Sequence, residues 1–149
     1  MEYKLPVSTL VVIHTPGLEA LLLERADRPG YWQSVTGGQH PGEALRDTAV
    51  REVAEETGID ATRHILDDWN LRNIFEIYPV WRHRYAPGVL HNIEHVFGLT
   101  LPGPVSVTLS PREHLRYEWL PWGEAAERVF SWSNRKALLM LPERVRHRP

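Results

Sequence analysis

The residues best suited to chemistry lie between Gly37 and Asp60, in GGQHPGEALRDTAVREVAEETGID, which holds six acidic side chains. Three of them, Glu52, Glu55 and Glu56, fall within five positions. A helical period begins near Glu43 and stops at Gly58, a residue suited to ending a helix. At about 100° per residue, Leu45, Ala49 and Val53 share the face expected to pack against a core. Glu56 falls between Leu45 and Ala49 on that wheel, Glu52 just beside Leu45, and Glu55 on the flank. The carboxylates therefore overlap or border the buried face. Like charges at i,i+4 cost about 0.2–0.5 kcal/mol per pair, and burying unpaired carboxylates costs more. Acidic groups late in a helix also meet the unfavourable end of its dipole. A solvated helix with local pairs, such as Asp47 or Glu55 with Arg51, would account for the charge density. The position on the wheel favours a divalent cation instead, because carboxylate clusters select magnesium or manganese. Such an ion would offset the repulsion and hold phosphate oxygens in the same field.

Cationic and ring-binding candidates lie outside this stretch. Lys4, Arg25 and Arg28 stand at or near the ends of expected strands, where they could meet phosphate; Arg brings a bidentate fork that Lys lacks. Arg28 reads as a solvated strand end. Glu113, in SPREHLRYEWL, reads by itself as a capping or surface residue, and His114 next to it competes for any role as a base. His83 reads as structural or as a phosphate-side contact. His91 and His95 would stand roughly 13 Å apart on a strand, too far to share one ion, so zinc is not expected. A bicyclic ring would need an apolar slot with a few polar groups, and Phe75 and Trp132 are the favoured aromatic contacts. Alternation places Phe75 and Ile77 on one strand face and Glu76 and Tyr78 on the other. Glu76 could accept hydrogen bonds from a 2-amino-4-oxo pyrimidine edge, but it does not easily share a slot with Phe75. That edge is common to pterins and guanine.

These side chains need elements to hold them. Segments 6–14 and 20–25 read as two strands around the turn TPGLE. Segment 30–38 adds a short aromatic and β-branched piece that closes on two glycines. Residues 70–88 read as a strand with a bulge or edge at Pro79 and a turn at Pro87 and Gly88. Residues 91–101 form the next expected strand and 105–109 a brief one. Residues 113–122 include an apolar strand and lead into helical pieces over 122–130 and 133–141, and the final RVRHRP reads as a frayed basic tail.

Composition narrows the classes. The chain has 149 residues, enough to bury a core without disulfides, and shows no linker or repeat, so one domain is expected over 1–149. It has no cysteine, which removes thiol catalysis and Cys-based zinc sites. Seventeen basic and nineteen acidic residues give a net charge of −2, unlike a dedicated nucleic-acid binder. The apolar run near the N-terminus is too short for a signal peptide or a membrane span, so the cytoplasm is expected. The expected partner is a small-molecule triphosphate, with no nucleic acid and no membrane; monomer and homodimer are both open.

Gly37, five residues, Glu43, seven residues, then REVAEETGI from Arg51 to Ile59: this pattern resembles the complete signature box of the Nudix hydrolases. The likeness runs from about Lys4 to Leu141, through PVSTLVVI, LLLERADRPGYWQSVTGG, RHRYAPG, EHLRYEWLPW and SWSNRKAL. Over that length the chain is similar to the branch of the family that acts on 7,8-dihydroneopterin triphosphate in folate biosynthesis. The resemblance implies an α+β fold, an α/β/α sandwich with a mixed β-sheet and the box as a loop-helix-loop. It implies magnesium, with manganese as a substitute, and hydrolysis to dihydroneopterin monophosphate and pyrophosphate. By the same resemblance Glu52, Glu55, Glu56, Glu113 and the backbone carbonyl of Gly37 would hold metal. Arg51 would order the carboxylates, and Glu113 is a candidate base. Lys4, Arg25, Thr36, Phe75, Glu76, Ile77, Tyr78 and Ser131 would contact substrate. A broader nucleoside triphosphate or dinucleotide polyphosphate hydrolase is the alternative. A non-catalytic binding module should have lost box carboxylates, and all are present.

Overall fold

A computed structural model describes residues 2–146. Its centre is strand β1 (Val7–His14), whose apolar, β-branched residues are buried on both faces, as a strand covered on both sides requires. β1 runs parallel to β6 (His91–Thr100) along its whole length, and β6 pairs antiparallel with β5 (Ile65–Glu76). On its other side β1 is shared. Residues Ser8 to Val11 pair with β4 (Val35–Gly38), whereas β2 (Glu19–Arg25) reaches β1 only at the His14 to Ala20 register. β2 then continues antiparallel to β3 (Trp32–Gln33) and β7 (His114–Pro121). The two parts of the sheet thus diverge beside the first half of β1.

Helices cover both faces. Odd-numbered Val11 and Ile13 of β1 join Leu21, Leu23 and Val35 against Ala49 and Val53 of α1 (Leu45–Thr57). Even-numbered Leu10 and Val12 pack with Leu22 against α2 (Trp122–Arg128) and α3 (Trp132–Arg146). Period-two alternation therefore yields an α/β/α sandwich around a mixed sheet. Ala49 and Val53 are fully buried, Asp47 is exposed and Arg51 half-buried, as the wheel requires. Leu45 is only half-buried because it opens the helix at the rim of the core. Gly58 ends α1 in the left-handed region at φ 74°, where a side chain would be strained.

Four boundaries differ from the sequence reading. β5 starts at Ile65, passes a bulge between Asp68 and Leu71, and stops at Glu76. Pro79 is not a bulge but the start of a 3-10 turn, Pro79–Arg84, where a missing N–H costs nothing. Residues 105–109 form no strand. The supposed basic tail is helical through Arg146: Arg144 donates to the Trp69 carbonyl at 2.8 Å and lies over its indole. Its last three residues lie outside the described ones.

One polar contact ties the layers together next to the sheet opening. The Ser34 N–H donates to Asn134 Oδ1 at 2.8 Å, and Asn134 Nδ2 donates to Ser34 Oγ at 2.9 Å. Both residues are buried, so the pairing joins β4's approach to the first turn of α3. Replacing Asn134 with Ala should leave the Ser34 N–H without an acceptor, at a cost of about 1–3 kcal/mol. A urea unfolding midpoint unchanged from the parent would contradict this.

Candidate active site

Where the sheet diverges, a cleft of about 750 Å³ opens between the box helix and the first turn of α3. One end is acidic. Arg51 organises it: Nε and Nη2 reach the two oxygens of Glu43 at 2.9 and 3.0 Å, Nη2 also reaches the Gly38 carbonyl at 2.8 Å, and Nη1 reaches Glu52 at 2.7 Å. Glu43 is locked in turn by the His40 N–H and the Thr48 hydroxyl. The Arg51 guanidinium holds the Glu43 carboxyl well below the usual carboxylate range, and Glu43 raises Arg51. Gly37 is required by close approach: a Cβ there would overlap the carboxylate of Glu52.

Glu56 is 2% exposed and its Oε1 has no hydrogen-bond partner among the described residues. Burial, followed by the nearby Glu52, raises its pKa well above the ordinary value. Glu113, at the cleft rim, is also raised, by desolvation and then by Glu52. His114 Nε2 lies 3.7 Å from Glu56 Oε1 and 3.2 Å from the Gln33 amide nitrogen. Burial lowers His114 to about 4, so near neutrality its ring is uncharged and forms no ion pair with Glu56.

Cationic groups also line the cleft. Arg25 is held by both Asp27 oxygens, at 2.8 and 2.9 Å, by Gln33 at 3.0 Å, and by stacking on Trp81 at 4.3 Å. Asp27 also accepts from the Trp81 indole and from Arg84, and the Arg25 bonds keep it strongly acidic. Lys4 is lowered by burial and then by Arg84.

The cleft brings together Lys4, Arg25, Thr36, Gly37, Glu52, Glu56, Phe75, Ile77, Tyr78, Glu113 and Ser131. Ser131 also accepts the Asn134 N–H at the head of α3. Three expected participants do not line it. Arg51 reaches the site through its bond to Glu52. Glu55 is exposed, pairs with Arg51 at 3.3 Å, and acts on Glu113 through its charge. Glu76 is exposed and bound by Arg82, because alternation sends it to the strand face opposite Phe75, and it does not line the cleft. Arg28 is exposed beside Tyr31.

The buried polar residues at the far end of the cleft went unrecognised in the sequence. Asn92 and Glu94 line it, 2% and 5% exposed, with Asn92 Oδ1 and Glu94 Oε1 unpartnered among the described residues. The signal was available: Asn92 and Glu94 share the period-two face of Val96, which is wholly buried.

Among the described residues, no three acidic or histidine side chains gather into a complete metal cage. Paired Glu52 and Glu56 nonetheless suit magnesium, which keeps several waters and is commonly held by one or two carboxylates plus substrate phosphates. The orphaned Glu56 oxygen and the mutual repulsion are features a cation would relieve.

Residues 4–141 match the NUDIX domain. The chain belongs to the Nudix hydrolase family. Over 139 residues it is 46% identical to the dihydroneopterin triphosphate diphosphatase of Escherichia coli (strain K12), covering 91% of each chain. It is 38% identical over 141 residues to the enzyme of that name from Haemophilus influenzae, covering 93% of this chain and 88% of that one. The solved E. coli dihydroneopterin triphosphate pyrophosphohydrolase superposes with a TM-score of 0.87 at 45% identity, covering 93% and 95%. The Nudix box therefore sits in the loop-helix-loop context that the signature implies, and the cleft is framed by segments the matched domain spans.

Burial raises Glu94 to about 7 from an ordinary 4.5. The folded state then binds more protons than the unfolded one between those values, so stability should fall as pH rises through that window. The full difference is on the order of 3 kcal/mol. In metal-free urea unfolding at pH 5 and pH 8, Glu94→Gln should shrink the loss seen in the parent. An identical pH slope in both proteins would contradict the burial of a titrating group.

Proposed function

We propose that this Nudix hydrolase cleaves 7,8-dihydroneopterin triphosphate to dihydroneopterin monophosphate and pyrophosphate in a magnesium-dependent reaction. The observation that carries the reading is the cleft's polarity: paired Glu52 and Glu56 at one end, Arg25 and Lys4 nearby for phosphate, and an aromatic and polar slot beyond. Likeness over 91% of the chain to an enzyme named for that substrate, and over 93% to its solved structure, supports the pterin over other triphosphates. No helix among the described residues is long and apolar enough to cross a membrane.

The reaction consumes one water and breaks the bridge between the α- and β-phosphorus atoms. Magnesium held by Glu52 and Glu56 would neutralise phosphate charge and make bound water more acidic. This chain's own work is positioning and charge balance, which dominate phosphoryl transfer. Arg51 fixes Glu52, and Gly37 leaves that carboxylate room. Arg25, preset by Asp27 and Trp81, presents a guanidinium to phosphate oxygens. Glu113 is a better candidate base than His114, whose lowered pKa makes it a weak proton acceptor.

Glu52→Gln and Glu56→Gln should fold and lose at least about 100-fold in kcat, and Gly37→Ala should do the same by displacing Glu52. A panel of dihydroneopterin triphosphate, GTP, dGTP, 8-oxo-dGTP and diadenosine tetraphosphate at matched magnesium should give the highest kcat/KM for the pterin. Pyrophosphate and phosphate should be measured separately. Preference for a nucleotide would move the assignment to the broader nucleotide hydrolase, and release of single phosphate would refute diphosphatase chemistry. Full turnover in excess chelator would refute the metal.

A further inference from the structure

The cleft's far end holds a carboxyl group with no assigned role. Glu94 is buried on β6, and its Oε1 is unpartnered among the described residues although it lines the cleft. Asn92, two residues earlier on the same face, donates from Nδ2 to Ser8 Oγ at 2.8 Å and keeps Oδ1 unpartnered. Ser133, at the first turn of α3, and Asn73, opposite Glu94 on β5, lie near the carboxyl and partly offset the rise that burial causes; Asn73 Nδ2 is unpartnered among the described residues. Asn73 is itself tethered by Lys136. A buried group costs free energy when left unpaired, and two such acceptors side by side in one cleft define a ligand rich in adjacent N–H donors.

Place in the fold supports this. Ser8 pairs with Gly38 on one side and Glu94 on the other, so two strand spacings, roughly 10 Å, separate Glu94 from the loop that cradles Glu52. A triphosphate reaching from the acidic end would set its attached ring beside Glu94. Phe75 supplies an apolar wall, since it lies on the same strand face as Asn73 and pairs with Asn92.

We propose that Glu94, assisted by Asn92, reads the substrate's ring by accepting hydrogen bonds from the adjacent 2-amino and ring N–H groups of a 2-amino-4-oxo pyrimidine edge. The assignment rests on the triphosphate reading above and gives it a specificity-determining residue. The role that Glu76 cannot fill belongs to the neighbouring strand. A carboxylate presents two acceptors to two donors, whereas a Gln amide must turn one donor toward an N–H. A site built this way rejects a ring lacking the edge far more strongly than shape alone would.

The test compares parent and Glu94→Gln on dihydroneopterin triphosphate, GTP, ITP and ATP at one magnesium concentration. A metal-free fluorescence titration with neopterin, which carries no phosphate, is run alongside. Glu94→Gln should lose at least about 100-fold in kcat/KM on the pterin and GTP, change ATP turnover less than about threefold, and lose neopterin binding. In the parent, ITP, which lacks the 2-amino group, should fall well below GTP; this arm does not depend on the variant folding. Equal losses on all substrates in a folded variant, unchanged neopterin affinity, or equal parent turnover of GTP and ITP would each overturn the assignment. Parent preference for a nucleotide over the pterin would refute the substrate reading alone, because the GTP to ITP ratio still reports on Glu94.

Discussion

The site depends on one guanidinium. Arg51 is the cation in direct ion pairing with the box carboxylates Glu43, Glu52 and Glu55, and its donors also reach the Gly38 carbonyl. It joins the helix to the glycine loop of β4 and fixes the Glu52 rotamer in one set of bonds. Charge-assisted and forked contacts of this kind are the strong hydrogen bonds of proteins, and Lys could not reproduce their geometry. The loop's two glycines serve different atoms: Gly38 supplies a carbonyl to Arg51, and Gly37 supplies the space that Glu52 occupies.

Arg51 does not neutralise the acidic end completely. Glu56 is buried with an unpartnered oxygen, and Glu113 feels Glu52 as well as its own desolvation. Such an arrangement is unfavourable for folding and useful for ligand binding, the usual direction of the conflict between stability and function. Glu94 repeats the pattern at the other end of the cleft. The protein thus stores unsatisfied polarity at both ends of one cavity, while the two apolar layers around β1 supply the compensating stability.

Much of this was legible in the residues. Leu45, Ala49 and Val53 located the packed face of α1, and Glu56 on that face announced a buried carboxylate. The apolar run over 6–14 located strand β1, though its central place in the sheet was not read from it. Other features were hidden for physical reasons. Pro79 marks both bulges and helix starts, so its 3-10 turn could not be separated from a strand edge by local sequence. Glu76 resembled a ring reader by residue type, but only the end of β5 shows it facing Arg82. Arg144 gives no helical signal against the polar, Pro-containing end of α3; its hold on Trp69 is a tertiary contact. Glu94 could have been found by extending the Val96 register two steps.

The Ser34 to Asn134 contact spans a hundred positions of chain, and β1 is completed by a parallel partner that begins only at His91. Non-local pairings of this kind form slowly, because loop closure must precede the contacts that reward it. During synthesis the acidic helix emerges well before the strand and the helix that will enclose it. For that interval the chain carries its charged box on a surface with no cleft. The cleft is complete only once the first turn of α3 has been made and closes its far wall.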